Sequence, residues 1–317
     1  MCTAVSWGEN YRYFGRNLDL EYHYREEVVC VPRNYNLVFK KMPAVTKHFA
    51  IVGMATVSRG YPLFYDAANE WGLACAALNF VNNAHYREPR KDALNLAPYE
   101  VIPYILARCK TVADALVLIK KLNIVNIPFD SKLPLSELHF IFADKQKCIV
   151  IEPTREGVFV YDDPFRVLTN NPPFPYHKKN MANYMNLTPC EPENRFSDKL
   201  ALEAYSRGMG GIGLPGDFSS ASRFVRAAFV AANAVHKEKD AENVAQFFHI
   251  LAATEVAEGC VRVDTGNVKT VYSSCIDTER GIYYLRTYES LSTSSVSMKD
   301  TDIDGKELQR EKMFLSV

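Results

Sequence analysis

The chain has no surplus charge of either sign. Lys+Arg and Asp+Glu both number 37 in 317 residues. That balance removes the bulk electrostatic case for nucleic acid or an anionic membrane as a partner. No apolar run approaches the roughly 18 residues a membrane-spanning helix needs, so no membrane association is expected. The opening Met-Cys-Thr-Ala-Val-Ser-Trp-Gly-Glu-Asn has neither a basic region nor a sustained apolar stretch, and no signal peptide is read there. The eight cysteines form no CxxC pair and no Cys/His cluster at zinc spacing, so no metal is expected. No GxGxxG follows a strand and no GxxxxGK[ST] is present; nucleotide binding has no support, and no cofactor is expected. The glycine-rich stretch 207–213 runs into Leu214-Pro215-Gly216 and reads as a sharply turning segment rather than a phosphate loop. Repeats, low-complexity tracts and Gly/Ser linkers are missing too, so residues 1–317 read as one domain.

What is present is ordinary for a globular protein: 48% hydrophobic and 23% charged residues. The 18 Tyr and 18 Phe point to a large core or to the lining of an apolar pocket. Without an export signal the cysteines are expected as reduced thiols in the cytoplasm. Cys75 and Cys148 stand in apolar runs and read as small buried hydrophobes.

The first third is strand-rich. Thr3–Ser6 and Tyr11–Phe14 flank a turn and suggest a hairpin, and Glu27–Pro32, Ala50–Val57 and Gly72–Phe80 are strand-like. Helical period follows over Pro98–Cys109 and over Val112–Leu122, with Thr111 as N-cap. Strands return at Leu138–Ala143, Cys148–Pro153 and Val158–Tyr161. Ser caps in Phe218–Ser222 start a helix reaching about His236, and Asp240–Ala253 is another. Thr270–Asp277 and Gly281–Tyr288 close the pattern as two strands across a turn. Strands in blocks with helices in pairs favour antiparallel sheets with segregated helices over alternating βαβ units.

Cys2 carries the chemical interest. Removal of Met1 would leave a thiol two bonds from a free α-amine. An α-amine has a pKa of about 7.7–8.0, low enough to act as a base near neutrality. Nucleophile and base then share one residue. Further on, Phe14-Gly15-Arg16-Asn17-Leu18-Asp19 sets a cation and a carboxylate three apart. Arg16 is suited to holding the thiol as thiolate, and Asp19 to orienting the α-ammonium. Read alone, the pair is equally a surface ion pair.

Met-Cys-Thr-Ala, Phe-Gly-Arg-Asn-Leu-Asp at 14–19, Ala-Leu-Asn-Phe at 77–80, Leu-Thr-Asn-Asn-Pro at 168–172 and Gly-Asp-Phe-Ser-Ser-Ala-Ser-Arg-Phe-Val at 216–225 stand in order along the chain. With these motifs the chain resembles the conjugated bile salt hydrolases of the choloylglycine hydrolase family, a resemblance that runs from residue 2 to about residue 290. These are N-terminal-nucleophile enzymes related to the penicillin V acylases. The resemblance implies a four-layer αββα sandwich of two packed antiparallel sheets flanked by helices. It implies Cys2 as nucleophile with Arg16 and Asp19 beside it, Asn79 and Asn170 at the oxyanion hole, and Arg223 as the distal arginine. It implies an apolar substrate wall from loops 18–26, 55–65 and 126–138, here supplying Leu18, Leu20, Phe64, Tyr65, Leu133 and Leu135. The substrate so implied is a conjugated bile salt, cleaved at its glycine or taurine amide through a thioester, in a homotetramer. Penicillin V acylases typically carry Tyr at position 79, so Asn79 favours the steroid amide. Two readings stay open beside this one: a penicillin V or other N-acyl amide hydrolase, and a non-catalytic sterol- or acyl-binding protein on the same scaffold.

Overall fold

The computed structural model describes residues 1–311 apart from Lys132 and Pro134. The first large sheet runs in the order Val167–Leu168, Cys2–Trp7, Tyr13–Leu20, Gly266–Asp277, Ile282–Thr287, Ser294–Ser297, with Val261–Val263 attached to Gly266–Asp277. The second runs Val158–Asp162, Cys148–Pro153, Leu138–Ala143, Ala74–Asn79, Tyr61–Asn69, Ile51–Ser58, Glu27–Val31, Gln309–Glu311. Every pairing in both sheets is antiparallel.

The sheets pack face to face through one apolar layer that joins Leu18 and Tyr272 of the first to Val52, Ala76 and Val150 of the second. The same cluster continues under Phe224 and Phe247, on the helices Ser220–Asn233 and Asp240–Ala252. A second cluster lies between the other face of the second sheet and the helices Val101–Arg108 and Val112–Ile119. The result is the αββα sandwich. Central strands such as Ala74–Asn79 and Cys148–Pro153 are buried on both faces, which fits their near-continuous apolar runs.

The hairpin expected at the N-terminus is the pair Cys2–Trp7 and Tyr13–Leu20, joined by a 3₁₀ turn over Glu9–Tyr11. Thr111 caps its helix by accepting from the Asp114 N–H at 3.1 Å. That helix stops at Ile119 rather than Leu122, because Leu122–Ile124 leaves it to pair with Leu94–Leu96 as a parallel two-stranded ladder. The helix expected to reach His236 ends at Asn233. The strand Tyr61–Asn69 has no counterpart in the sequence reading. The glycine-rich stretch is a turning segment with a 3₁₀ turn over Met209–Gly211. No helix among the described residues is long and apolar enough to cross a membrane.

Candidate active site

Strand alternation decides which residues meet Cys2. Along Tyr13–Leu20, successive side chains point to opposite faces, so Arg16, Leu18 and Leu20 share one face while Asn17 and Asp19 share the other. Cys2 pairs with Leu18 across the ladder. Cys2, Arg16, Leu18 and Leu20 together line a cavity of about 210 Å³. Arg16 and Asp19 are both fully buried, so they are not a surface ion pair. Nor do they bond each other: they act from opposite sides of one strand.

Arg16 is anchored by carbonyls. Its Nη1 donates to the Ala77 oxygen at 2.6 Å and the Tyr65 oxygen at 3.1 Å, and Nη2 has no partner among the described residues. Burial works against its charge, but Cys2, Tyr272, Asp66 and Asp19 more than offset that, and its pKa lies above the ordinary value. Behind it, Asp66 accepts from Tyr272 Oη at 2.6 Å, Tyr283 Oη at 2.8 Å and Ser274 Oγ at 3.0 Å. Burial raises the Asp66 carboxyl, with Arg16 and these hydroxyls opposing.

On the far face, Asp19 Oδ1 accepts from Thr270 Oγ1 at 2.7 Å, while Oδ2 is unpartnered among the described residues. Met1 is still attached to Cys2, so the Cys2 nitrogen is an amide here. It donates to Asn170 Oδ1 at 2.9 Å rather than to the Asp19 side chain. The Asp19 main chain instead holds Met1: its oxygen accepts from the Met1 amine at 2.7 Å and its N–H donates to the Met1 oxygen at 3.0 Å. The carboxylate expected to orient the α-ammonium therefore makes no bond to this nitrogen while Met1 is present.

Asn170 follows the short strand Val167–Leu168, which pairs with Ala4 and Val5. It is a junction. Oδ1 also accepts from Arg223 Nη2 at 2.8 Å, and Nδ2 donates to the Asn79 carbonyl at 2.8 Å. Its own N–H donates to Ser220 Oγ at 2.8 Å, at the start of the helix carrying Arg223. Arg223 is fully buried, and Nη1 donates to the Cys2 carbonyl and, at 2.8 Å, to Thr3 Oγ1. Desolvation lowers its pKa. Asn79, the last residue of Ala74–Asn79, lines the cavity. The cavity thus presents Cys2, Arg16 and Asn79. Asp19, Asn170 and Arg223 stand behind the wall, on the other side of the Cys2 backbone.

Phe64, Tyr65, Leu133 and Leu135 also line this cavity, and the expected loop 126–138 reaches it, its Lys132 and Pro134 lying outside the described residues. Tyr24, Leu63, Tyr99, Ile102 and Phe129 complete the apolar wall. Tyr24, Leu63 and Phe129 fall within the expected loops, whereas Tyr99 and Ile102 lie outside them and sequence reasoning missed them. Ile102 reads with Val101, Ile105 and Leu106 as one side of a core helix, and only the fold turns the start of that helix toward the cavity.

Burial pushes Cys30 and Cys109 up to about 12, which leaves them without thiolate near neutrality.

The profile of the choloylglycine hydrolase family of linear amide C–N hydrolases matches residues 2–310. A bile salt hydrolase/transferase of Lactiplantibacillus plantarum is 47% identical over 309 residues, covering 97% of this chain and 95% of the relative. A bile salt hydrolase/transferase of Clostridium perfringens is 36% identical over 319 residues, covering 98% and 97%. The crystal structure of the R18L variant of the conjugated bile acid hydrolase from Clostridium perfringens superposes with a TM-score of 0.90 at 35% identity, covering 99% of this chain and 97% of that one. A penicillin V acylase from Agrobacterium tumefaciens superposes with a TM-score of 0.78 at 20% identity, covering 98% and 90%, a likeness of fold.

Proposed function

The chain belongs to the choloylglycine hydrolase family of linear amide C–N hydrolases, and from that premise we propose that it hydrolyses the amide of glycine- or taurine-conjugated bile salts with Cys2 as nucleophile. The observation that carries this reading is the composition of one cavity. A thiol, a buried guanidinium and an asparagine stand at its wall with the hydroxyl residues Thr56 and Ser136, and most of the rest is apolar, including Leu18, Leu20, Phe64, Tyr65, Leu133 and Leu135. A rigid sterol body suits such a wall. The names of the 47% and 36% identical relatives point to the same substrates.

The mechanism starts with loss of Met1, which turns the Cys2 nitrogen into an α-amine. That amine takes the thiol proton. The sulfur attacks the scissile carbonyl carbon, and the negative charge developing on oxygen is met by the Asn79 side-chain amide from the cavity wall. One such donor is worth about 10²–10³ in rate. Collapse breaks the C–N bond, the amine returns the proton to the departing glycine or taurine nitrogen, and a thioester on Cys2 remains. Water, deprotonated by the same amine, cleaves the thioester to free bile acid and thiol. Asn170 and Arg223 hold the Cys2 backbone from behind, and Arg16 sets a positive field beside the sulfur. The double name of the relatives fits a thioester open to an amine as well as to water.

All eight cysteines are unpaired, which suits a reducing compartment, and we place the enzyme in the cytoplasm. By family resemblance we propose a homotetramer; Met185, Phe196 and Tyr205 in the segment 185–212 are exposed apolar side chains, 84%, 80% and 84%, of the kind that subunit contacts cover. Light scattering on the eluted peak tests this; a monomer would refute it.

Turnover of glycocholate and taurocholate against penicillin V tests the substrate. The expectation is a kcat/KM at least ~100-fold higher for a bile salt, in the range pocket contacts provide. A better penicillin V value would move the chain to the acylase reading.

A further inference from the structure

Two fully buried histidines grip the main chain at Asn170. His139 Nε2 donates to the Thr169 carbonyl at 3.0 Å, and His177 Nε2 donates to the Asn170 carbonyl at 3.0 Å. Each imidazole also lies flat on a ring next to a residue of the proposed site. His139 stacks on Phe80, which follows Asn79, with centroids 4.4 Å apart and planes 8° apart. His177 stacks on Phe224, which follows Arg223, at 4.8 Å and 17°. The other nitrogens differ. His139 Nδ1 faces Glu152 Oε1 at 3.3 Å, and that oxygen also accepts from the Phe174 N–H at 2.9 Å. His177 Nδ1 has no partner among the described residues.

We propose that His139 and His177 are positioning residues for the acyl transfer, acting through the peptide that carries Asn170. The inference rests on the reading of Cys2 as nucleophile. The Asn170 side chain bonds the Cys2 nitrogen, Arg223 and the Asn79 carbonyl at once. An amide serving three partners works only if its own backbone cannot pivot. The Ser220 hydroxyl fixes the N–H of that peptide, and the two imidazoles fix consecutive carbonyls. Their ring faces tie the same peptide to the chain beside Asn79 and beside Arg223. Neither imidazole lines the cavity, so neither touches substrate. Their effect is to hold the amine and the oxyanion donors in register, where sub-ångström displacement is costly.

The test pairs two substitutions at His177 in processed enzyme. His177→Phe keeps the stack on Phe224 and deletes the donor. His177→Gln keeps an N–H donor at similar reach. H177F should lower kcat for glycocholate about 10–100-fold, as loss of an orienting partner typically does, with KM changed less than ~3-fold. H177Q should stay within ~3-fold of wild type in kcat. Should H177F not fold, His177→Met carries the same expectation. Wild-type kcat in the donor-free variant overturns the proposal, as does an equal loss in H177Q. Absence of bile salt turnover by wild type is a separate result and strikes the proposed function instead.

Discussion

The nitrogen of Cys2 bonds the side-chain oxygen of Asn170 at 2.9 Å across 168 residues of sequence. The pairing fixes the one group that changes character on processing. With Met1 attached it is an amide, and without Met1 it is the α-amine that the mechanism uses as base. The site is therefore assembled before the chemistry is switched on.

Met1 precedes the first strand and is bonded at both its nitrogen and its oxygen to the Asp19 main chain. A chain retaining Met1 should fold with unchanged stability and have no activity. Intact mass spectrometry beside a glycocholate assay checks this. Activity should scale with the processed fraction, and full turnover in an unprocessed sample would contradict it.

Arg223 meets four oxygens: the Cys2 and Phe218 carbonyls, Thr3 Oγ1 and Asn170 Oδ1. Lysine cannot reproduce that planar fork. Arg223→Lys should lower kcat by ~100-fold or more. Arg223→Leu should also cost about 2–4 kcal/mol of stability, from carbonyls left buried and unpaired. Chemical denaturation with steady-state kinetics separates the two effects.

Gly15 is required by close approach. A Cβ there would lie 1.9 Å from the Ser274 carbonyl oxygen, whereas one on Gly157 would meet nothing within 4 Å. Gly15→Ala should destabilise by more than ~4 kcal/mol, since the backbone contact cannot yield, while Gly157→Ala stays within ~0.5 kcal/mol. Thermal melts of the two variants decide it. The Gly15 clash also falls on the residue whose hydroxyl bridges Asp66 and the Arg16 N–H.

Burial lowers the His177 pKa from 6.5 to about 4, with the neighbouring His139 and Arg223 adding to the effect and the Asn170 carbonyl opposing it. The unfolded chain binds a proton below about pH 6.5 that the folded chain refuses until about pH 4. Stability must then fall as pH drops through that window, by up to ~3 kcal/mol from this residue. His177→Gln should flatten that part of the stability–pH curve. An unchanged slope would show that the imidazole is not held neutral.

Much of the site was legible because its residues sit in local motifs. Strand alternation alone separates Arg16 from Asp19, and the Ser-rich stretch before Arg223 marks a helix start. The strand Tyr61–Asn69 was not legible: its first five residues alternate half-buried and buried, but Tyr-Pro-Leu-Phe-Tyr carries no matching polar/apolar alternation, so the sequence shows no period of two. Ser294–Ser297 and Gln309–Glu311 are polar edge strands that pairing, rather than composition, makes into strands. The helix Phe174–Asn180 hides behind Pro172, Pro173 and Pro175. Asp66 finds Tyr272 and Tyr283 more than two hundred positions away, and His139 finds Thr169 thirty away. Single side chains with such remote partners leave no local pattern to read.

The central claim is that the free N-terminal Cys2 does the chemistry. Cys2→Ala measured beside the processed wild type, for glycocholate turnover and for bile salt binding by calorimetry, tests it most directly. The account predicts turnover reduced to background with binding retained within a few fold. Undiminished turnover by the alanine variant, or a wild type that binds bile salt without cleaving it, would contradict it.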